Sequence, residues 1–182
     1  MQGSPKSVFI TGATGFIGQR LVSSLLKQNY VVRALVRPQS LADSRIDKAC
    51  EQVPVGLTDV EGLAGVVARS SAVIYCAGSV RGREPGDFET ANISCVQALV
   101  DALSRLDDPP PVLLLSSLAA SKPEVSNYAN SKFQGEKVLT GHSSISWTIL
   151  RPPAVYGPGD KEMLPILKMA RRGLLAHAGP AD

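Results

Sequence analysis

The sequence lacks any apolar run long enough to span a bilayer, and its N-terminus carries no signal-peptide pattern. A helical membrane protein and a secreted chain are therefore not expected. Histidine occurs only at His142 and His177, both isolated, so no zinc site is expected. Cys50, Cys76 and Cys95 are odd in number and lack metal-ligand spacing. They read as buried reduced thiols of a cytoplasmic protein. The net charge of +3 is small and the basic residues are scattered, which excludes a nucleic-acid or membrane-binding patch. With 44% apolar and 19% charged residues among 182, the chain has the composition and length of a folded domain with a sizeable core.

What is present alternates. Short apolar runs at 7–10, 30–36, 50–55, 72–76, 112–116 and 146–150 read as strands. Between them, 19–28, 59–68, 87–106 and 127–139 read as helices, and 162–172 follows as another. The helix over 87–106 rests on Phe88, Ala91, Cys95, Leu99, Ala102 and Leu106 at steps of three and four. Such alternation predicts an α/β fold with a doubly wound parallel sheet and helices on both faces, a Rossmann fold. Ligands of such sheets bind at the carboxyl ends of the strands, and the distinctive stretches fall there.

The first of these is Thr11-Gly12-Ala13-Thr14-Gly15-Phe16-Ile17-Gly18, between the first strand and the first helix. Glycines there permit a tight turn and close backbone approach to a pyrophosphate, with the helix's free N–H groups aimed at it. Gly12, Thr14, Gly15, Phe16, Ile17 and Gly18 are accordingly candidate cofactor-binding residues. At the end of the second strand, Val36 stands where an acid would hold the ribose 2′-hydroxyl of NAD, and Arg37 follows. A guanidinium suits a 2′-phosphate. NADP is thus expected over NAD, with Arg33 as a further candidate that alternation could equally place on another face; the alternative account of Arg37 is a solvated loop cation.

Three later stretches complete the set: Leu115-Ser116-Ser117-Leu118, then Tyr128-Ala129-Asn130-Ser131-Lys132, then Arg151-Pro152-Pro153-Ala154-Val155-Tyr156-Gly157-Pro158-Gly159. Tyr128 and Lys132, four apart, stack on one helix face. A nearby ammonium favours the phenolate and lowers a tyrosine pKa by about 1–3 units, toward usable acid/base work.

With the G-x-x-G-x-x-G spacing, these motifs closely resemble the extended short-chain dehydrogenase/reductase superfamily, the NAD(P)-dependent epimerase/dehydratase family, with dihydroflavonol-reductase-like members nearest in cofactor motif. The resemblance spans nearly the whole chain. It implies that Ser117, Tyr128 and Lys132 are catalytic. Ser117 would position the substrate oxygen, Tyr128 would move its proton, and Lys132 would tune Tyr128 and reach the nicotinamide ribose. Ser116 reads as a backbone-linked neighbour. Ala77 and Gly78 would lie beside the nicotinamide ribose, and Pro152 and Val155 against the nicotinamide. Where relatives often carry Gly-Asp-Leu, this chain has Gly56 in place of the acid, leaving a backbone contact from Leu57. Asp59 is better read as the cap of the next helix. The 79–86 loop would line the active site. Asn92 either orders the site or faces water, Ser131 serves packing or helix hydrogen bonding, and Glu136 is a structural ion-pair or surface acid.

The implied reaction is reversible hydride transfer between nicotinamide and a carbonyl/alcohol substrate. The alternatives are a nucleotide-sugar epimerase or dehydratase retaining its NAD(P), and a non-catalytic NADP-binding sensor or scaffold. Family members are longer. Residues 1–160 therefore read as the NADP-binding domain with the catalytic residues, and 161–182 as the start of a largely absent C-terminal substrate-binding part. That absence would leave apolar surface uncovered. A homodimer through 87–106 and 127–139 is the family expectation.

Overall fold

Six parallel strands form one sheet in the order β3-β2-β1-β4-β5-β6. The computed structural model describes residues 6–37 and 45–174. Met1–Ser4, Pro38, His177 and the last residues of the 161–182 segment lie outside the described residues. The strands are β1 (Ser7–Thr11), β2 (Val31–Val36), β3 (Glu51–Pro54), β4 (Ala72–Tyr75), β5 (Val112–Leu115) and β6 (Trp147–Leu150). Between them run α1 (Phe16–Lys27), α2 (Val60–Val67), α3 (Gly86–Glu89), α4 (Cys95–Leu103) and α5 (Asn127–Thr140), with α6 (Leu164–Arg171) after β6.

The strand order reverses between β1 and β4, which opens a crevice over their carboxyl ends. β1 is buried almost throughout because both faces are covered. On one face α1 packs Val22, with Leu21, Leu25 and Leu26, against Ile10, Val32, Ala34 and Val36. On the other, Leu63, Val66 and Val67 of α2, Leu99 and Leu103 of α4, and Leu139 of α5 cover Phe9, Leu35, Val73 and Leu114. The expected doubly wound sheet is therefore present. At the β6 edge, Trp147 and Leu150 are exposed, as are Leu164, Ile166, Leu167 and Met169 of α6. Among the described residues no helix is long and apolar enough to cross a membrane.

Three helices differ from expectation. α1 starts at Phe16 rather than Gln19, because Gly15 is its N-cap, so the motif's last glycine lies inside the helix. The helix expected over 87–106 is α3 and α4 joined by a π-helical turn, Thr90–Ser94, and it ends at Leu103. The Tyr75 hydroxyl donates to the Ala91 carbonyl within that turn at 2.8 Å, supplying a buried partner where the regular ladder is interrupted. The Glu162–Arg172 helix is shorter than expected: the Asp160 carboxylate accepts from the Glu162 and Met163 N–H groups ahead of Leu164. Asp59 caps α2, accepting from the Gly62 N–H at 3.0 Å.

Candidate functional site

The turn between β1 and α1 needs its glycines for two separate reasons. Gly12 has φ +71°, and a β-carbon there would lie 2.7 Å from the Cys76 carbonyl and the Ala77 nitrogen. The turn therefore lies directly on the end of β4. A β-carbon on Gly18 would overlap the Gly12 carbonyl, so α1 packs against the turn with no room for a side chain. Gly15 donates from its N–H to the Gly12 carbonyl at 3.0 Å, closing the turn. Among the described residues no side chain caps α1. Its first N–H groups are thus left for solvent or a ligand, and they favour an anion. The uncapped N-terminus and the glycine cradle fit a dinucleotide pyrophosphate. Thr14, Phe16 and Ile17 line this segment half-buried, and Thr14 accepts from the Gln19 side chain at 2.8 Å.

Thr11, which the sequence reading passed over, fixes the neighbouring strand end. Its buried hydroxyl accepts from both the Cys76 and Ala77 N–H groups, at 3.2 and 3.1 Å. A threonine closing a strand just before a glycine turn was the available signal.

Ala77 and Gly78 continue from β4 into this crevice. A β-carbon on Gly78 would lie 2.9 Å from Asn92 Oδ1 and 3.7 Å from Lys132 Nζ. The strand end, the π turn and α5 therefore meet at one point. Of the two readings of Asn92 the buried one holds: it is 2% exposed. Its Oδ1 accepts from the Ser79 N–H, and its Nδ2 donates to the Ser79 carbonyl and to Ser131 Oγ. Ser131 in turn donates to the Tyr128 carbonyl at 2.8 Å. α5 approaches closely at Gly135, where a β-carbon would overlap the Asn92 carbonyl.

Lys132 is 7% exposed, unusual for a lysine, and its Nζ donates to the Leu115 carbonyl at 2.7 Å. Burial pulls its pKa down to about 8, opposed by Cys76 and Glu136. Burial pushes the Cys76 thiol up to about 11. Tyr128 is half-buried, and its ring packs against Phe88 with centroids 6.1 Å apart. Ser117 begins a 3₁₀ turn, its Oγ accepting from the Ala119 N–H at 3.2 Å. Among the described residues no acceptor takes the Ser117 hydroxyl proton, which leaves it available to a substrate oxygen.

Ser116 is linked through its backbone, as expected, its N–H donating to the Leu150 carbonyl at 2.8 Å. Its side chain is engaged as well: Oγ donates to Glu136, which also pairs with Arg151. The reason is burial, because a carboxylate at 4% exposure must collect donors. The Arg33 guanidinium is already engaged within the sheet. Glu51 stands beside it in the β2–β3 register, and its guanidinium is held by Glu51 and the Arg69 carbonyl. Arg37 lies exposed just past β2. Leu57 packs its side chain against the sheet core. Pro152 is half-buried, its carbonyl accepting from the Leu118 N–H at 2.9 Å, while Val155 is exposed. Beyond it Gly157 comes up to Phe16, and Arg20 donates to the Pro158 carbonyl at 2.8 Å, so the 151–159 loop meets the glycine turn.

The model of the NAD dependent epimerase/dehydratase family matches residues 8–177. A protein described as a ceramide reductase from Caulobacter vibrioides is 36% identical over 165 residues, 91% of this chain and 51% of its own length. A UDP-glucose 4-epimerase from Vibrio cholerae is 27% identical over 93% of this chain and 58% of its own length. The chain thus spans about half the length of the curated relatives it matches. Among solved structures, the Bordetella bronchiseptica enzyme WbmH in complex with NAD+ superposes with a TM-score of 0.77 at 19% identity, covering 94% of this chain and 64% of that one. The strand order, the glycine turn over β4 and the match across nearly the whole sequence lead to one conclusion: the chain belongs to the NAD dependent epimerase/dehydratase family.

Proposed function

We propose that this chain carries the cofactor and catalytic part of an NADP-dependent oxidoreductase acting on a carbonyl/alcohol pair. The observation that carries the reading is the buried Lys132 ammonium, held on the Leu115 carbonyl at the β5 end and beside Gly78, with the α1 turn against the neighbouring Ala77. A bound nicotinamide dinucleotide supplies the hydride. Gly12, Thr14, Gly15, Phe16, Ile17 and Gly18 would hold its pyrophosphate, and Arg37 its 2′-phosphate. Leu57, Ala77, Gly78, Pro152, Val155, Tyr128 and Lys132 would contact the rest of it. The Tyr128 hydroxyl exchanges its proton with the substrate oxygen, and Ser117 donates a hydrogen bond to that oxygen as charge develops. Lys132, held on the Leu115 carbonyl, places a positive charge near that chemistry. Residues 1–160 form the cofactor unit, and 161–182 begin the substrate-binding part.

The reductase relative supports this reading. A second reading, an epimerase or dehydratase with retained NAD, draws on the family description and the V. cholerae relative. Titration with NADPH and NADH, followed by fluorescence, separates them. Tighter NADPH binding, weakened about tenfold or more in Arg37→Ala, is expected from loss of a charge-assisted phosphate contact. Preference for NADH would overturn the NADP assignment and favour the second reading. Where turnover is measured, Tyr128→Phe should abolish it, and unchanged turnover would remove the catalytic assignment.

A further inference from the structure

One helical turn beyond Lys132, the Glu136 carboxylate gathers donors from two strand ends. Ser116 Oγ and Arg151 Nε, the latter at 2.9 Å, donate to Oε1, while an Arg151 terminal nitrogen donates to Oε2. Ser116 immediately follows β5 and Arg151 immediately follows β6. The same two ends are joined along the main chain. The Ser116 N–H donates to the Leu150 carbonyl at 2.8 Å, and the Leu118 N–H to the Pro152 carbonyl at 2.9 Å. From α5, Lys132 grips Leu115 while Glu136 grips Ser116. The residues just before Ser117 are thus pinned from the helix that carries Tyr128 and Lys132. A buried ion pair contributes little stability over a well-packed apolar replacement, so its use here is better sought in geometry and charge.

We propose that Glu136 is a positioning residue for Ser117 and Lys132, a role that rests on the catalytic reading of those two: through Ser116 and Arg151 its carboxylate locks the β5 end, the β6 end and α5 into one frame behind the site. Its charge has a second effect. The groups acting on the Lys132 charge are Cys76 from the β4 end and Glu136 on α5, with Arg151 from the β6 end paired to Glu136. The Cys76 thiol, pushed up to about 11, is still protonated where Lys132 titrates, at about 8. Glu136 is therefore the charged group that raises the Lys132 midpoint against the burial that lowers it.

The test follows the Lys132 Nζ titration by NMR of the chain labelled at the lysine ε-carbon, the signal being identified by its loss in Lys132→Arg. Glu136→Gln should lower the Lys132 midpoint by about 0.5–1 unit. It should also accelerate exchange of the Ser116 and Leu118 amides by about tenfold or more relative to α2 amides. Arg151→Gln, which leaves Glu136 less neutralised, should move the midpoint the other way, and Glu136→Asp should restore most of the wild-type value. A Lys132 midpoint that does not move in folded Glu136→Gln overturns the proposal. Should that variant not fold, a midpoint in Arg151→Gln that stays put or falls overturns it equally. NADPH binding is measured in parallel. Its absence from the wild-type chain would remove the cofactor reading while leaving the Lys132 titration legible, so the two failures are distinguishable.

Discussion

Replacing Gly18 by alanine should destabilise the protein, whereas the same change at Gly65 should stabilise it. Both glycines sit inside helices, α1 and α2, and alanine gains about 1 kcal/mol of helix propensity at each. At Gly65 none of the described residues comes within 4 Å of the new methyl group, so the gain stands alone. At Gly18 the methyl group overlaps the Gly12 carbonyl and would lie 3.0 Å from Ala13 Cα, both backbone. Backbone cannot rotate aside as a flexible side chain does, so α1 must slide outward and loosen Val22, which is buried against β1 and β2. Overpacking of this kind costs about 3 kcal/mol, and the propensity gain leaves a net loss of roughly 2 kcal/mol. At about 2–4 °C per kcal/mol for a chain of this size, Gly18→Ala should melt roughly 4–8 °C lower and Gly65→Ala roughly 2–4 °C higher. Urea titrations read the free energies directly, and NADPH titration of the two variants shows whether only Gly18→Ala loses the cofactor. Equal stability of the two variants would refute the claim that α1 has no room at the glycine turn.

Thr11→Val keeps the shape but leaves the Cys76 and Ala77 N–H groups without their acceptor, so a loss of about 1–3 kcal/mol in urea unfolding is expected. A loss below roughly 0.5 kcal/mol would mean that neither bond matters to stability. Lys132 gives a pH signature. Its folded pKa, about 8, lies below the 10.5 of the free side chain, so between those values the unfolded chain binds more protons. The burial penalty is complete below pH 8 and is relieved as pH rises toward 10.5. Stability relative to Lys132→Met should therefore rise by up to about 3 kcal/mol across that window. A flat or falling difference in paired urea titrations would contradict the buried ammonium.

The sheet was legible because each strand is a short apolar run between turn residues, and because the glycines at 12, 15 and 18 mark where the first one ends. Asp59 was legible as a cap because an acid ahead of an apolar helical run has one obvious use. Arg33 was not, since period-two alternation puts a side chain on a face without naming its neighbour. Only the β2–β3 register brings Glu51 beside it. An ion pair was one of the two uses open to Glu136, but its link to Ser116 escaped for a related reason. Their bond joins residues 20 apart, and a glutamate one turn past a lysine looks the same whether it faces water or the interior. For Thr11 the signal lay only in its place, closing a strand just before a glycine turn; its residue type does not name the two N–H groups it serves.

The π turn at Thr90–Ser94 amounts to one extra residue in an otherwise regular helix, and an α-helix advances about 100° per residue. The segment before the turn and the segment after it are therefore out of phase. α3 turns Phe88 toward Tyr128, while α4 turns Leu99 and Leu103 into the sheet and α2. A single rod with one continuous stripe could not serve both directions. Deleting one residue from 90–94 would bring the two halves back into phase and swing Asn92 off Ser79 and Ser131, even with every other side chain of the crevice intact.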